Sequence, residues 1–304
     1  MTRFDIVSFG ALNVDMLFKV DRLAGAEEES FIEDYTEACG GSAANTVVAL
    51  ARLGCKVGFI GKVASDREGK MQIDCFKKEG VDTSGVIQAK HGKSGSVLGF
   101  VDKKGARALY INSGVNDIIE PREIKWDYVS QIKFLHLSSF VGEKSLRTQK
   151  KLLATLPSDV KISFDPGSVY ARQGFVAIEP IIRSSYVLMP NAVELELLTG
   201  EADYCKGADF MIEMGVKIVA VKLGSKGCYV TDGRERLRIE PFKVKVVDTT
   251  GAGDAFCAGF LYGLINNKSL YECGRLGNFV ASRSVTAMGA RAGLPYAKDL
   301  AFLG

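Results

Sequence analysis

Residues 247–256 read Val-Asp-Thr-Thr-Gly-Ala-Gly-Asp-Ala-Phe, and they hold the means to stabilise an anion beside a carboxylate. Gly251, Ala252 and Gly253 stand where an apolar helix would begin, after a strand-like run from Phe242 to Val247. Small residues there let backbone N–H groups point outward, and those groups and the helix dipole favour negative charge. A phosphoryl group in transfer develops such charge. Asp254 falls in the first helical turn, where a carboxylate could take the proton of an attacking hydroxyl. An acidic residue at a helix start is also a plain cap. A Gly-x-Gly-Asp start says little alone, so the reading rests on the whole string.

These residues need elements to position them. Short apolar runs at Phe4–Phe9, Val57–Ile60, Phe134–Leu137, Val160–Phe164, Tyr186–Met189 and Lys217–Lys222 read as strands. Helical segments fall between them at Ser42–Leu53, Arg67–Glu79, 143–155, 174–182, 191–199 and 204–214, and two long helices, 252–266 and 269–287, close the chain. Strands alternating with helices predict a parallel sheet covered on both faces. Two stretches break the rhythm. Met16–Cys39 holds extended pieces, and Ser94–Asn112 reads as a hairpin turning at Asp102–Gly105. Strand-rich insertions without helices of their own can pair into a small sheet that lids a cleft. Lys298–Gly304 reads as a frayed or docked tail.

Composition narrows the function classes. With 47% apolar and 25% charged residues the chain has the balance of a soluble globular protein. Its 39 basic and 36 acidic residues give a net charge of +3 and no basic block, which argues against nucleic acid as a partner. The seven cysteines, at 39, 55, 75, 205, 228, 257 and 273, form no C-x-x-C pair. They read as buried free thiols suited to a reducing cytosol. No signal-peptide core opens the chain and no run reaches membrane-spanning length, so a cytoplasmic protein without a membrane partner is expected. No G-x-G-x-x-G joins the first strand to its helix and no G-x-x-x-x-G-K-[ST] occurs, which sets aside dinucleotide oxidoreductases and P-loop enzymes.

Val247–Phe256 resembles the C-terminal signature of the PfkB carbohydrate kinases, the ribokinase and adenosine kinase superfamily. Cys39-Gly40-Gly41-Ser42-Ala43-Ala44-Asn45, an apolar helix and Leu53-Gly54 are similar to its N-terminal signature. The likeness runs from Gly10 to Pro295 with the motifs in family order. It implies a three-layer α/β/α ribokinase-like domain with a small β-sheet lid: one domain over 1–304, with lid segments at about 16–39 and 94–112.

The resemblance also assigns roles. Asp254 matches the catalytic base, and Gly251, Ala252 and Gly253 match the anion hole. On the substrate side stand Asn13, Asp15, Gly40, Gly41 and Asn45, with Asp15 and the Asn45 amide implied to meet sugar hydroxyls. Asn191 and Glu194 match an N-x-x-E pattern that helps hold Mg²⁺ and the phosphates, often through water, and the same pair would suit a helix cap. Lys222, Gly224 and Gly227 belong to a nucleotide loop. Relatives often carry Thr or Ser where this chain has Lys222, whose ammonium could reach a phosphate or stay solvated. Asn278 falls near the adenine pocket.

Asp248 and Thr250 match part of a monovalent-cation site, but Gly293 stands where ribokinase-like members have a Ser ligand, which counts against potassium dependence. The implied activity is ATP- and Mg²⁺-dependent phosphorylation of a pentose or related sugar, with a homodimer through the lid edges. The alternative is a nucleoside kinase, to which Phe100 and Tyr110 of the lid and the segment Ser163–Gly167 lean as aromatic and loop candidates. Arg107, Arg172 and Arg291 keep a phosphorylated sugar open. A silent sugar- or nucleoside-binding sensor is disfavoured by the intact Asp254 string.

Overall fold

The computed structural model describes residues 3–104 and 106–303; Met1, Thr2, Gly105 of the expected turn and Gly304 of the tail lie outside them. In chain order the strands are β1 Phe4–Phe9, β2 Asn13–Val20, β3 Ile32–Gly40, β4 Val57–Ala64, β5 Val86–Ala89, β6 Gly95–Val101, β7 Arg107–Asn112, β8 Ile132–Leu137, β9 Lys161–Phe164, β10 Ser185–Leu188, β11 Ile218–Lys222, β12 Cys228–Thr231 and β13 Arg236–Ile239. Nine of them form one sheet, in the order β13-β12-β11-β10-β9-β8-β1-β4-β5. From β5 to β11 neighbours run parallel; β12 and β13 add an antiparallel edge.

Side-chain alternation splits the core into two layers. Ile218 and Ala220 of β11 face the helices Ser42–Arg52, Ala252–Ile265 and Leu270–Ser284. Val219 and Val221 face the opposite layer, with Leu146, Ile178, Leu195 and Met211 from other helices. Strands buried on both faces must be apolar throughout, which is why they read as continuous runs in the sequence. The helix Ala252–Ile265 is apolar on nearly all sides and buried from Asp254 to Leu261. Glycine allows its close contact with the last helix: a Cβ on Gly259 would overlap the carbonyl of Leu276.

The two helix-free insertions pair with each other. They form a separate four-stranded sheet, β3-β2-β6-β7, in which β2 and β6 run parallel. Its first strand starts earlier than the sequence suggests, at Asn13, so the small sheet grows directly out of the segments carrying Asn13 and Gly40.

Three strands lie outside the expected runs: β5, β12 and β13. One expected strand is absent, because Phe242–Val247 follows Pro241 as irregular backbone held by Val247 N–H to the Val285 carbonyl at 2.8 Å. The last long helix ends at Ser284 rather than 287. The tail is a 3-10 turn over Ala297–Leu303, with Leu300 packed on the core. Four of the seven cysteines, 39, 55, 75 and 205, are half-buried rather than buried. Among the described residues no helix is long and apolar enough to cross a membrane.

Candidate active site

The chain leaves β1 toward β4 on one side and later fills β8 to β11 on the other, so the strand order reverses around β1. In open α/β sheets ligands bind at the carboxyl ends of strands near such a reversal. Here those ends deliver Gly10 through Asp15 after β1, Asp165 after β9, Asn191 after β10 and Lys222 through Gly227 at the end of β11.

Asp254 sits in the first turn of the helix Ala252–Ile265 and is 9% exposed. Gly251 caps that helix with φ of 75°, a left-handed conformation that glycine adopts without strain. Asp254 Oδ1 accepts a 2.5 Å hydrogen bond from the Ser42 hydroxyl, and Oδ2 accepts one at 2.8 Å from Asn45 Nδ2. Burial raises its pKa, the Ser42 and Asn45 bonds lower it, Asp165 adds repulsion, and the balance is about 6. A carboxylate so placed is ionised at neutral pH yet basic enough to take a proton.

Asp15 lies on the other side of Gly40. A Cβ at position 40 would overlap the Asp15 carboxylate, so only glycine leaves room for it. Burial pushes Asp15 up to about 6, with Arg291 pulling down and Asp254 pushing up. Asn13 is held by Asn116, whose Nδ2 donates to Asn13 Oδ1 at 3.0 Å. The Asn45 amide, expected to meet substrate hydroxyls, is instead engaged within the protein. Its Nδ2 reaches Asp254, and its Oδ1 accepts from Arg291 Nε at 2.8 Å.

A cavity of about 470 Å³ opens on the other side of Gly253. Phe242, Val244, Val246 and Val285 make one apolar wall; Lys222, Gly224, Gly227, Asn278, Ala252 and Gly253 supply its polar groups. The run mistaken for a strand is therefore a wall of this cavity. Phe242 packs on Phe279 of the last helix and, with Val244, faces the cavity, while Val246 at its rim is exposed. Asn278 Nδ2 donates to the carbonyls of Ile239 and Glu240 at 3.1 and 3.0 Å, tying this wall to the helix.

Lys222 is not solvated. Its ammonium donates to Asp165 Oδ2 at 2.7 Å, beside Gly253, and the side chains are 12% and 7% exposed. Burial works against its charge, but Asp165, Cys257 and Glu194 outweigh it and hold the pKa above the ordinary lysine value. Asn191 and Glu194 form a capping box: Asn191 Oδ1 accepts from Glu194 N–H at 2.8 Å, and Glu194 Oε2 accepts from Asn191 N–H at 2.9 Å. Glu194 is 7% exposed, and burial together with Asp165 raises its pKa. A buried carboxylate under this pressure is an oxygen donor that a hard divalent cation relieves, so the set Asn191, Glu194 and phosphate oxygens fits Mg²⁺.

Asp248 braces the loop before the helix. Its Oδ1 accepts from Thr250 N–H and hydroxyl at 2.9 and 2.8 Å, and its Oδ2 from Gly289 N–H at 2.8 Å. A side chain at Gly293 would overlap the carbonyls of Arg283 and Ser284, so this chain has no room for a serine ligand there.

The small sheet turns one face to this site. Asp15 pairs with Val97 and Val97 with Ile111; Leu17 pairs with Gly99 and Gly99 with Leu109. Phe18, Phe100 and Tyr110 have the opposite parity. With Tyr35 they form a row of ring contacts, at centroid distances from 5.2 to 6.1 Å, on the outer face. Phe100 and Tyr110 therefore lie on the face opposite Asp15, which does not fit the base-stacking expectation. Arg172 is exposed, and Arg291 is committed to protein partners. A larger hollow of about 630 Å³ among Pro121, Arg122, Trp126 and Leu152 is lined by none of the candidate residues.

Sequence reasoning missed Ser42, which reads as an ordinary helix start, and the Asp165–Lys222 pair, whose members lie 57 residues apart.

Residues 3–297 match the family model described as pfkB family carbohydrate kinase. The chain is 47% identical over 255 residues to a protein of Archaeoglobus fulgidus named only as a sugar kinase, spanning 83% of this chain and 100% of that one. It is 35% identical over 257 residues to an ATP-dependent ribose-1-phosphate kinase of Halopiger xanaduensis, spanning 84% and 83%. The crystal structure of a ribokinase from Thermotoga maritima superposes with a TM-score of 0.88 at 29% identity, over 99% of each chain.

Proposed function

The chain belongs to the pfkB family of carbohydrate kinases, and from that premise we propose that it transfers the γ-phosphoryl group of ATP to a hydroxyl of a pentose or related small sugar. One observation carries the reading. The cavity between Phe242 and Lys222 ends at Ala252–Gly253, the next residue is Asp254, and Asp15 stands beyond it across Gly40.

The apolar wall suits a nucleotide base, and the phosphate chain would run past Lys222 to the amides at Gly251–Gly253. Asn191 and Glu194 would hold Mg²⁺, which neutralises phosphate charge when bound. The acceptor would lie under the small sheet, acting as a lid, against Asp15, Asn13 and the Gly40–Gly41 backbone. As the sugar oxygen bonds to phosphorus and the bond to the ADP oxygen breaks, Asp254 accepts the hydroxyl proton and later releases it to solvent. No step is assigned to K⁺, since position 293 offers no side-chain oxygen.

Leu17, Val97, Leu109 and Ile111, which share the parity of Asp15 on the lid, offer no aromatic ring to stack a nucleobase, and this favours a sugar over a nucleoside. A coupled assay of ATP consumption against ribose, fructose, ribose 1-phosphate, adenosine, cytidine and inosine decides this. Turnover is expected with a sugar or sugar phosphate; preference for a nucleoside would sink the sugar reading. Within the acceptor site, Asp15→Ala should raise the acceptor KM about 10–100-fold, the worth of hydrogen bonds to a charged group, with the KM for ATP unchanged. An unchanged acceptor KM would remove Asp15 from the site.

A further inference from the structure

Arg291 is buried, 9% exposed, and none of the ion pairs within 4 Å among the described residues includes it. Its three nitrogens are directed elsewhere: Nε to Asn45 Oδ1 at 2.8 Å, Nη1 to Cys75 Sγ at 3.2 Å and Nη2 to the Gly40 carbonyl at 3.4 Å. The guanidinium lies 5.9 Å from the Phe76 ring centroid. The backbone is pinned as well, since the Arg291 carbonyl accepts at 2.7 Å from Arg52, itself paired with Glu79. Burying a guanidinium without a carboxylate in contact is costly, so the arrangement calls for a gain elsewhere.

The gain lies in what arginine cannot do. It has donors only. The Asn45 atom facing it must therefore be the oxygen, which forces Nδ2 toward Asp254. Without the arginine, Asn45 Oδ1 loses its donor in the interior, and the bond to Asp254 alone is left to hold the amide in place. The same guanidinium holds the carbonyl of Gly40, whose missing side chain makes room for Asp15, and its charge favours ionised Asp15.

We propose that Arg291 is a positioning residue for phosphoryl transfer, orienting Asn45 so that Asp254 is presented as the base and fixing the Gly40 backbone beside Asp15. This rests on Asp254 being the base.

The test is a double-mutant cycle of Arg291→Met and Asn45→Ala, with Arg291→Lys and Asp254→Asn alongside. Arg291→Met should lower kcat about 10-fold or more and leave the KM for ATP within about twofold. Arg291→Lys, which keeps a donor-only cation, should recover part of the loss. Because both act on kcat through one amide, the double variant should have a kcat no lower than Asn45→Ala alone, with the Gly40 contact showing only in the acceptor KM; independent residues would multiply in kcat. Additive losses, or a lower melting temperature with kcat unchanged, would overturn the proposal. If Arg291→Met fails to fold, Arg291→Gln decides: its amide can offer an acceptor as well as a donor and no longer dictates which Asn45 atom faces it, so kcat unchanged from wild type in it overturns the relay. Should Asp254→Asn retain turnover, the base assignment itself fails; should it be inactive while the cycle is additive, only the Arg291 inference falls.

Discussion

Asp254→Asn should lower kcat by about 10²–10⁴-fold, the usual worth of general-base assistance, while the affinity for ATP stays within about twofold. The substitution keeps the size of the side chain, so Ser42 retains a partner for its 2.5 Å hydrogen bond and the neighbouring anion cradle stays intact. What disappears is the group that takes the proton. The same residue sets the pH dependence of the wild type. Burial holds Asp254 near 6, so kcat should fall as the pH drops below that value and level off above it. The sign for stability is opposite. A carboxyl group raised in the folded state holds its proton more tightly there than in the unfolded chain, so the contribution of Asp254 and Asp15 to stability is full below about pH 4, falls between about pH 4 and 6, and is constant above that. Normal turnover in the Asn variant, measured at saturating ATP and acceptor, would end the assignment.

Lys222→Met should do damage of two kinds. The lysine and Asp165 form a buried pair at 2.7 Å, and removing one partner of such a pair typically costs about 3–5 kcal/mol by leaving a lone charge in the interior. For a domain of this size that is a fall of roughly 5–8 °C in Tm. The ammonium also stands beside Gly253, where a transferring phosphoryl group would develop charge, and removing one such electrostatic stabiliser commonly costs ~10²–10³-fold in kcat. The double variant Asp165→Asn/Lys222→Met separates the two effects. It should regain most of the lost melting temperature, since no lone charge remains, and none of the lost rate. Recovery of rate together with stability would show that Lys222 serves only the fold.

The sequence carried the parallel sheet because buried strands must be apolar throughout and helices between them periodic. It also carried the chemical centre, because a glycine-bounded helix start followed by Asp254 compresses cradle and base into adjacent residues. It was blind where a role depends on partners far along the chain. Ser42 and Asn45 reach Asp254 across more than 200 residues, and Arg291 reaches Asn45 across 246. Lys222 could not be told from a solvated lysine until Asp165 was placed against it. The segment Phe242–Val247 misled for a simpler reason: alternating apolar residues satisfy a cavity wall as well as a sheet face. For the lid aromatics the deciding fact was parity, since Phe18 and Phe100 pair one residue out of step with Asp15.

The acceptor-side residues stand at the root of the small sheet rather than beneath its middle: Asn13 and Gly40 pair at the first rung, with Asp15 two residues on. From Asn13 the strand runs to Val20, and at about 3.3 Å per residue its far end is roughly 23 Å away. The sheet would thus act as a lever with its fulcrum at the proposed acceptor site. A tilt of about 5° imposed by contacts at Asp15 carries the tip through about 2 Å, so a small ligand gripping the short arm moves the long one.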